Sequence, residues 1–160
     1  MIMYIKRLNN EVGTAKQIRQ RGGAAVELAL LLTLLLMIVA GVVEFGRTFW
    51  YYDALAKATR DSARFLTSAR YSATVALNTT LITEAKTIVV DAAASAKVPD
   101  FDEYYVAITC NTACDLNPTY VTVSVSYPIT IGDWIPIFVP TGVVSWSTQL
   151  SPHTTMRYMK

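Results

Sequence analysis

"GGAAVELALLLTLLLMIVAGVV", residues 22–43, carries a single charge, Glu27. A helix needs about 20 predominantly apolar residues to cross a bilayer, so this run is long enough. No other stretch of the 160-residue chain approaches it; the chain is 52% hydrophobic, and much of the excess sits in this run. Beyond Val98 the chain is broken by Pro99, Pro118, Pro128, Pro136, Pro140 and Pro152. An acidic residue at the bilayer centre costs roughly 2.5–3.5 kcal/mol on insertion scales. The presence of Glu27 therefore demands a physical reason. The total length allows one domain plus an anchor.

Cutting the chain at this run separates its charges. Residues 1–22 hold Lys6, Arg7, Lys16, Arg19 and Arg21 against Glu11, a net of +4. Residues 23–160 hold nine basic and eleven acidic side chains, a net of −2. A basic leader stays in the cytoplasm and sends the C-terminal part across the membrane. Beyond the leader no basic cluster suggests a nucleic-acid partner.

A cleavable secretory signal has an apolar core of about 7–15 residues followed by small residues at the cut. Here the core is longer, and "VVEFGRTFWYYDALAKATRDSARFL" comes after it with no such site. The small residues "GGAA" precede the core instead. A cut at Gly22 would remove the basic leader and leave the apolar segment on the mature chain, as in a prepilin.

The stretch "RGGAAVELALLLTLLLMIVAGVVEFGRTFWYYDALAKATRDSAR" resembles the N-terminus of TadE-like proteins, the pseudopilins or minor pilins of tight-adherence (Flp, type IVc) pili. Gly22, Glu27, Glu44, Phe45, Gly46, Arg47, Arg60 and Arg64 fit that family's pattern. Leu28 departs from it, because pilins of this type commonly have Tyr or Phe there. The C-terminal "TTMRYMK" also resembles the family's usual end. The resemblance implies cleavage by a prepilin peptidase between Gly22 and Gly23. It also implies other pilin and pseudopilin subunits and an inner-membrane assembly platform as partners. Bulk subunits of this pilus type are usually shorter, which favours a minor or initiating role. The implied location is the bacterial inner membrane, with the head outside the cytoplasm, and then the pilus or cell surface.

Cleavage would give Glu27 its reason. It becomes the fifth residue of the mature chain, about 6 Å along a helix from the new α-amino group of Gly23. That amine is positive below a pKa of about 8. A neighbouring subunit offset along the axis can present its amine to this carboxylate, and in low dielectric such a pair fixes the register. The bland alternative is that Glu27 only snorkels near the headgroups.

The implied organisation is a basic leader (1–22), a transmembrane and assembly helix (23–46) and an extracytoplasmic head (47–160). The expected fold class is α+β and pilin-like. A long helix over residues 24–68 is half spanning and half spine, followed by a second helix and a small antiparallel sheet of three to four strands. The spine's apolar positions are Val42, Phe45, Phe49, Tyr52, Leu55 or Ala56, Thr59, Ala63 and Leu66, an amphipathic spacing. Asp53 with Lys57, and Lys57 with Asp61, are i,i+4 pairs. Phe49, Trp50, Tyr51 and Tyr52 mark the outer membrane interface, with Phe49 and Tyr52 also packing the head. Gly41 and Gly46 stand in this helix either for close helix contact or for local unwinding. The second helix is predicted over residues 78–97 with Thr80 as N-cap and Pro99 beyond its end.

Period-two patterning then sets in. Residues 104–110, 120–127 and 143–150 read as strands. Tyr104, Val106 and Ile108, then Val121, Val123, Val125 and Tyr127, then Val144, Trp146 and Leu150 fall on the apolar faces. Residues 153–159 are a candidate fourth strand. Cys110 and Cys114 flank a turn outside the cytoplasm and fit a short disulfide. A metal reading has only these two ligands, with His153 far away in sequence. The oily stretch 128–142 lies between strands, where polar turns are usual. It is either a hairpin extension on the spine or a contact patch for a subunit or membrane, with Trp134 and Phe138 as candidate contacts.

No phosphate loop, nucleophile elbow or metal cluster is present, so neither an enzyme nor a cofactor is expected. The competing reading is an uncleaved, membrane-anchored extracytoplasmic binding domain.

Overall fold

The computed structural model describes residues 2–71, 77–114, 118–132 and 146–158, and only the backbone of residues 2–21 and 69–71. Helix α1 runs Ile2–Tyr71, longer at both ends than the expected 24–68. Its first twenty-odd residues contain no proline and many good helix formers, so nothing local stops the helix before the apolar run. Contacts divide the chain into two units, Met1–Val43 and Glu44–Lys160.

In the first unit the side chains of residues 22–43 are exposed, except that Ala40 is half-buried. Within Gly22–Ser68 the helix is long and apolar enough to cross a membrane. Thr33 is the one polar side chain between Glu27 and Glu44. Its hydroxyl donates to the Ala29 carbonyl at 2.9 Å. The helix thus satisfies its own polar group, as a lipid environment requires. A Cβ added at Gly41 or Gly46 would meet nothing within 4 Å, so no contact among the described residues calls for either glycine.

In the second unit α1 buries Glu44, Tyr51, Leu55, Ala58, Thr59, Ser62, Ala63 and Leu66. The predicted stripe holds from Leu55 onward and fails before it. Phe45, Phe49 and Tyr52 are exposed, and the ring that joins the core is Tyr51. The expected stripe kept to apolar residues. The real seam continues through Tyr51 to Glu44, whose carboxylate is bonded within the unit and therefore tolerates burial.

Helix α2, Thr79–Ser95, starts at Asn78, not Thr80. The Asn78 side chain accepts from the Leu81 amide at 2.9 Å, which is N-cap geometry. The helix ends before Pro99 is reached. The Val98 amide donates to the Ala93 carbonyl and the Lys97 amide to the Ala94 carbonyl, both at 3.0 Å. With Lys97 at φ 58° this is a Schellman ending, carrying lysine where glycine is usual. Ala85, Val89 and Ala93 are the buried face of α2. Small residues bring the helices together: the Ser62 hydroxyl donates to the Ala85 carbonyl at 2.7 Å.

The strands are β1 Val106–Cys110, β2 Tyr120–Val125, β3 Tyr127–Ile131, β4 Trp146–Leu150 and β5 His153–Arg157. They form two antiparallel sheets, β1-β2-β5 and β3-β4. The fold is therefore α+β, with the predicted fourth strand placed beside β2. Val121, Val123, Val125 and Tyr127 are buried as their alternation requires. On the other face Thr122 and Thr155, cross-strand partners, share a hydroxyl hydrogen bond at 2.8 Å. Thr59 of α1 meets Thr154 of β5 at 3.0 Å. Leu55, Leu66 and Val89 join the three β2 valines in one core. Each such side chain contributes about 1.5–3 kcal/mol on burial.

Three further expectations are corrected. Tyr104 and Tyr105 belong to a 3-10 turn, Glu103–Tyr105, because the Asp102 side chain caps the Glu103 amide. This turn leaves Tyr104 88% exposed. Trp146, predicted on the apolar face of β4, is 75% exposed, while Leu150 of the same set is buried. The start of the oily stretch is no loop but strand β3, with Ile129 buried and paired with Thr148. Pro128 is accommodated because a two-stranded sheet has only edge strands. Residues 133–145, including Trp134 and Phe138, lie outside the described residues.

Candidate functional site

Gly22, Gly23 and Glu27 lie on one continuous helix, all exposed. A Cβ at either glycine would meet nothing within 4 Å, so packing among the described residues does not account for them. From Leu28 to Val43 the helix carries no charge. At 1.5 Å per residue that segment is about 24 Å long, close to the roughly 30 Å of a bilayer's hydrocarbon core. Glu27 and Glu44 therefore bracket the apolar segment, and the two carboxylates have different surroundings.

Glu44 is only 4% exposed. Its Oε1 accepts from Arg47 Nη2 at 2.6 Å and from the Gly132 amide at 3.3 Å. Helical geometry places residues i and i+3 together, so "EFGR" needs no tertiary help to form the ion pair. Gly132 comes directly after β3 and adopts φ +95°, a backbone region that favours glycine. The carboxylate thus ties the end of β3 to the spine helix. The Arg47 guanidinium lies 5.9 Å from the centre of the Tyr51 ring.

Arg47 and Tyr51 help line a cleft of about 360 Å³ with Asp100, Tyr105 and Tyr127. Tyr127 packs edge-on to Tyr105, with centroids 5.3 Å apart, and its hydroxyl donates to the Pro99 carbonyl at 2.6 Å. Burial, and then the nearby Asp100 carboxylate, raises the Tyr127 phenol above its ordinary value. It therefore remains a donor at neutral pH.

Of the predicted site residues, the structure brings Glu44 and Arg47 together, leaves Phe45 exposed, and places Gly46 free of close neighbours. Cys110 and Cys114 are disulfide-bonded, with Cα atoms 5.4 Å apart. The turn they staple is also closed by Asn111, whose side chain accepts from the Thr119 and Tyr120 amides. His153 begins β5. Among the described residues no group of three or more His, Cys, Asp or Glu side chains could hold a metal. The sequence reading placed Tyr51 at the membrane interface and Tyr127 on a strand's apolar face but missed both, and Gly132, as parts of this site. The seven-residue step from Glu44 to Tyr51 was the available signal.

No curated protein and no solved structure matches this chain. Residues 22–64, which hold both glycines, both bracketing glutamates and Arg47, match the family model of the TadE-like protein, the same family their sequence resembles, and the match points to a protein associated with the Tad pilus.

Proposed function

We propose that the chain is a minor pilin or pseudopilin of a tight-adherence pilus. A prepilin peptidase removes residues 1–22, and the mature subunit waits in the inner membrane before passing through the assembly platform into a filament. The observation that carries this reading is the exposed, charge-free helix segment bracketed by Glu27 and Glu44, inside the stretch that matches the TadE-like model. An apolar helix of this length is stable in lipid, and in a filament only if other helices cover it. Glu27 supplies the preference for the filament. Its charge is costly in lipid and is satisfied by the α-amine of Gly23 on a neighbouring subunit. The second unit is then the head that such a helix displays.

Sheared filaments provide the test. An epitope-tagged chain, expressed with the pilus machinery, is expected in the sheared filament fraction when the peptidase is active. Without the peptidase it should remain wholly in the membrane fraction. Equal recovery at the membrane with and without the peptidase, and none in filaments, would instead favour the uncleaved, anchored binding domain.

A further inference from the structure

Outside its core-facing seam, α1 leaves large rings uncovered. Phe45, Phe49 and Trp50 are each well over half exposed, just after the apolar segment. Trp146, the first residue of β4, is a fourth exposed ring, on another element. Bonded contacts connect the two sets. Trp146 pairs with Ile131, Ile131 precedes Gly132, and the Gly132 amide donates to the Glu44 carboxylate. With about 5 Å between paired strand residues and 3.8 Å per peptide, the Trp146 backbone is held within roughly 12 Å of that carboxylate. Glu44 is the neighbour of Phe45 and stands immediately after the apolar run.

We propose that Trp146 and the α1 rings Phe45, Phe49 and Trp50 form one seat on the bilayer interface, holding the head against the outer phospholipid headgroups before assembly. This rests on the membrane-anchored part of the reading above. Three features favour a lipid surface as the occupant. The rings continue directly from the apolar segment. Two of the four are tryptophans, which prefer the zone where hydrocarbon meets headgroup. Among the described residues, the charges beside the α1 rings are paired, Glu44 with Arg47 and Asp53 with Lys57, each at 2.6 Å. The Glu44–Gly132 hydrogen bond adds the β3–β4 hairpin to the seat.

The test uses the full chain in phosphatidylcholine vesicles containing lipids brominated near the headgroup or deep in the acyl chain. Two variants each keep one ring: W50F with W134F retains Trp146, and W134F with W146F retains Trp50. Both retained tryptophans should be quenched more by shallow than by deep bromine. If Trp134→Phe prevents folding, Trp146→Phe alone gives the reading by difference, because the shallow-quenched emission must fall. Quenching of Trp50 but not Trp146 would overturn the seat and leave the anchor intact. Quenching of neither would overturn the anchor as well. Trp146 shielded from both bromolipid and aqueous acrylamide would mean that protein covers it, such as a second copy of this chain, and would also overturn the seat.

Discussion

Glu27→Gln should leave the chain cleaved and stable in the membrane while reducing its recovery in filaments by about a hundredfold or more. Gln preserves size and hydrogen-bonding capacity but removes the charge. The apolar segment then loses the insertion penalty that an acidic residue imposes, so the anchor sits more comfortably in lipid. In an assembly the α-amine of the neighbouring subunit would be left without its counter-charge. Removing one partner of a buried ion pair typically costs 3–5 kcal/mol, and each 1.4 kcal/mol is a factor of ten. Both changes act against leaving the membrane. Processing at Gly22 should persist, since the glycine and the basic leader are unchanged. Quantitative blotting of membrane and sheared filament fractions measures the outcome. Normal incorporation of Glu27→Gln would show that the carboxylate is incidental.

Glu44→Ala should destabilise the head by about 3 kcal/mol. Two donors, Arg47 Nη2 and the Gly132 amide, would lose their common acceptor. The Arg47 side chain is 28% exposed, so water recovers part of its hydration, and the full cost of a stranded buried charge does not apply. The Gly132 amide contributes a further 1–3 kcal/mol if it finds no replacement. For a domain of roughly this size, each kcal/mol lowers Tm by about 4–8 °C. The full chain in detergent, followed by near-UV circular dichroism, should therefore melt more than 10 °C lower. Glu44→Gln retains an acceptor for Gly132 and should lose about half as much. A melt of Glu44→Ala superimposable on the wild type would show that the junction holds nothing together.

These two glutamates also show what the sequence made legible. A carboxylate in a charge-free run, preceded by glycines and a basic leader, stands out in one dimension, because lipid insertion depends on composition and order. The period-two valines of β2 were equally plain, since one buried face forces strict alternation. Glu44 was visible as part of "EFGR" but not as a buried residue. Its second partner, Gly132, is 88 positions away and directly follows β3, whose residues pair with β4. That pairing was hidden because proline-containing "YPITI" does not read as a strand, yet an edge strand tolerates Pro128. The spine stripe failed between Val42 and Tyr52 for a related reason. There a charged residue, Glu44, takes the core-facing position while the apolar Phe45 and Phe49 face away, so the apolar stripe does not mark the buried face. From Leu55 to Leu66 the buried positions agreed with the spacing. Thr80 lost the N-cap to Asn78 because several capping residues stand in a row, and only the helix's first turn selects among them.

The central claim is that this chain is handled as a prepilin, and the intact mass of the protein purified from cells that make the pilus tests it most directly. The account predicts a mature chain beginning at Gly23, lighter than the full sequence by residues 1–22. A full-length chain in cells with an active prepilin peptidase, or a chain cut beyond Val43, would contradict it.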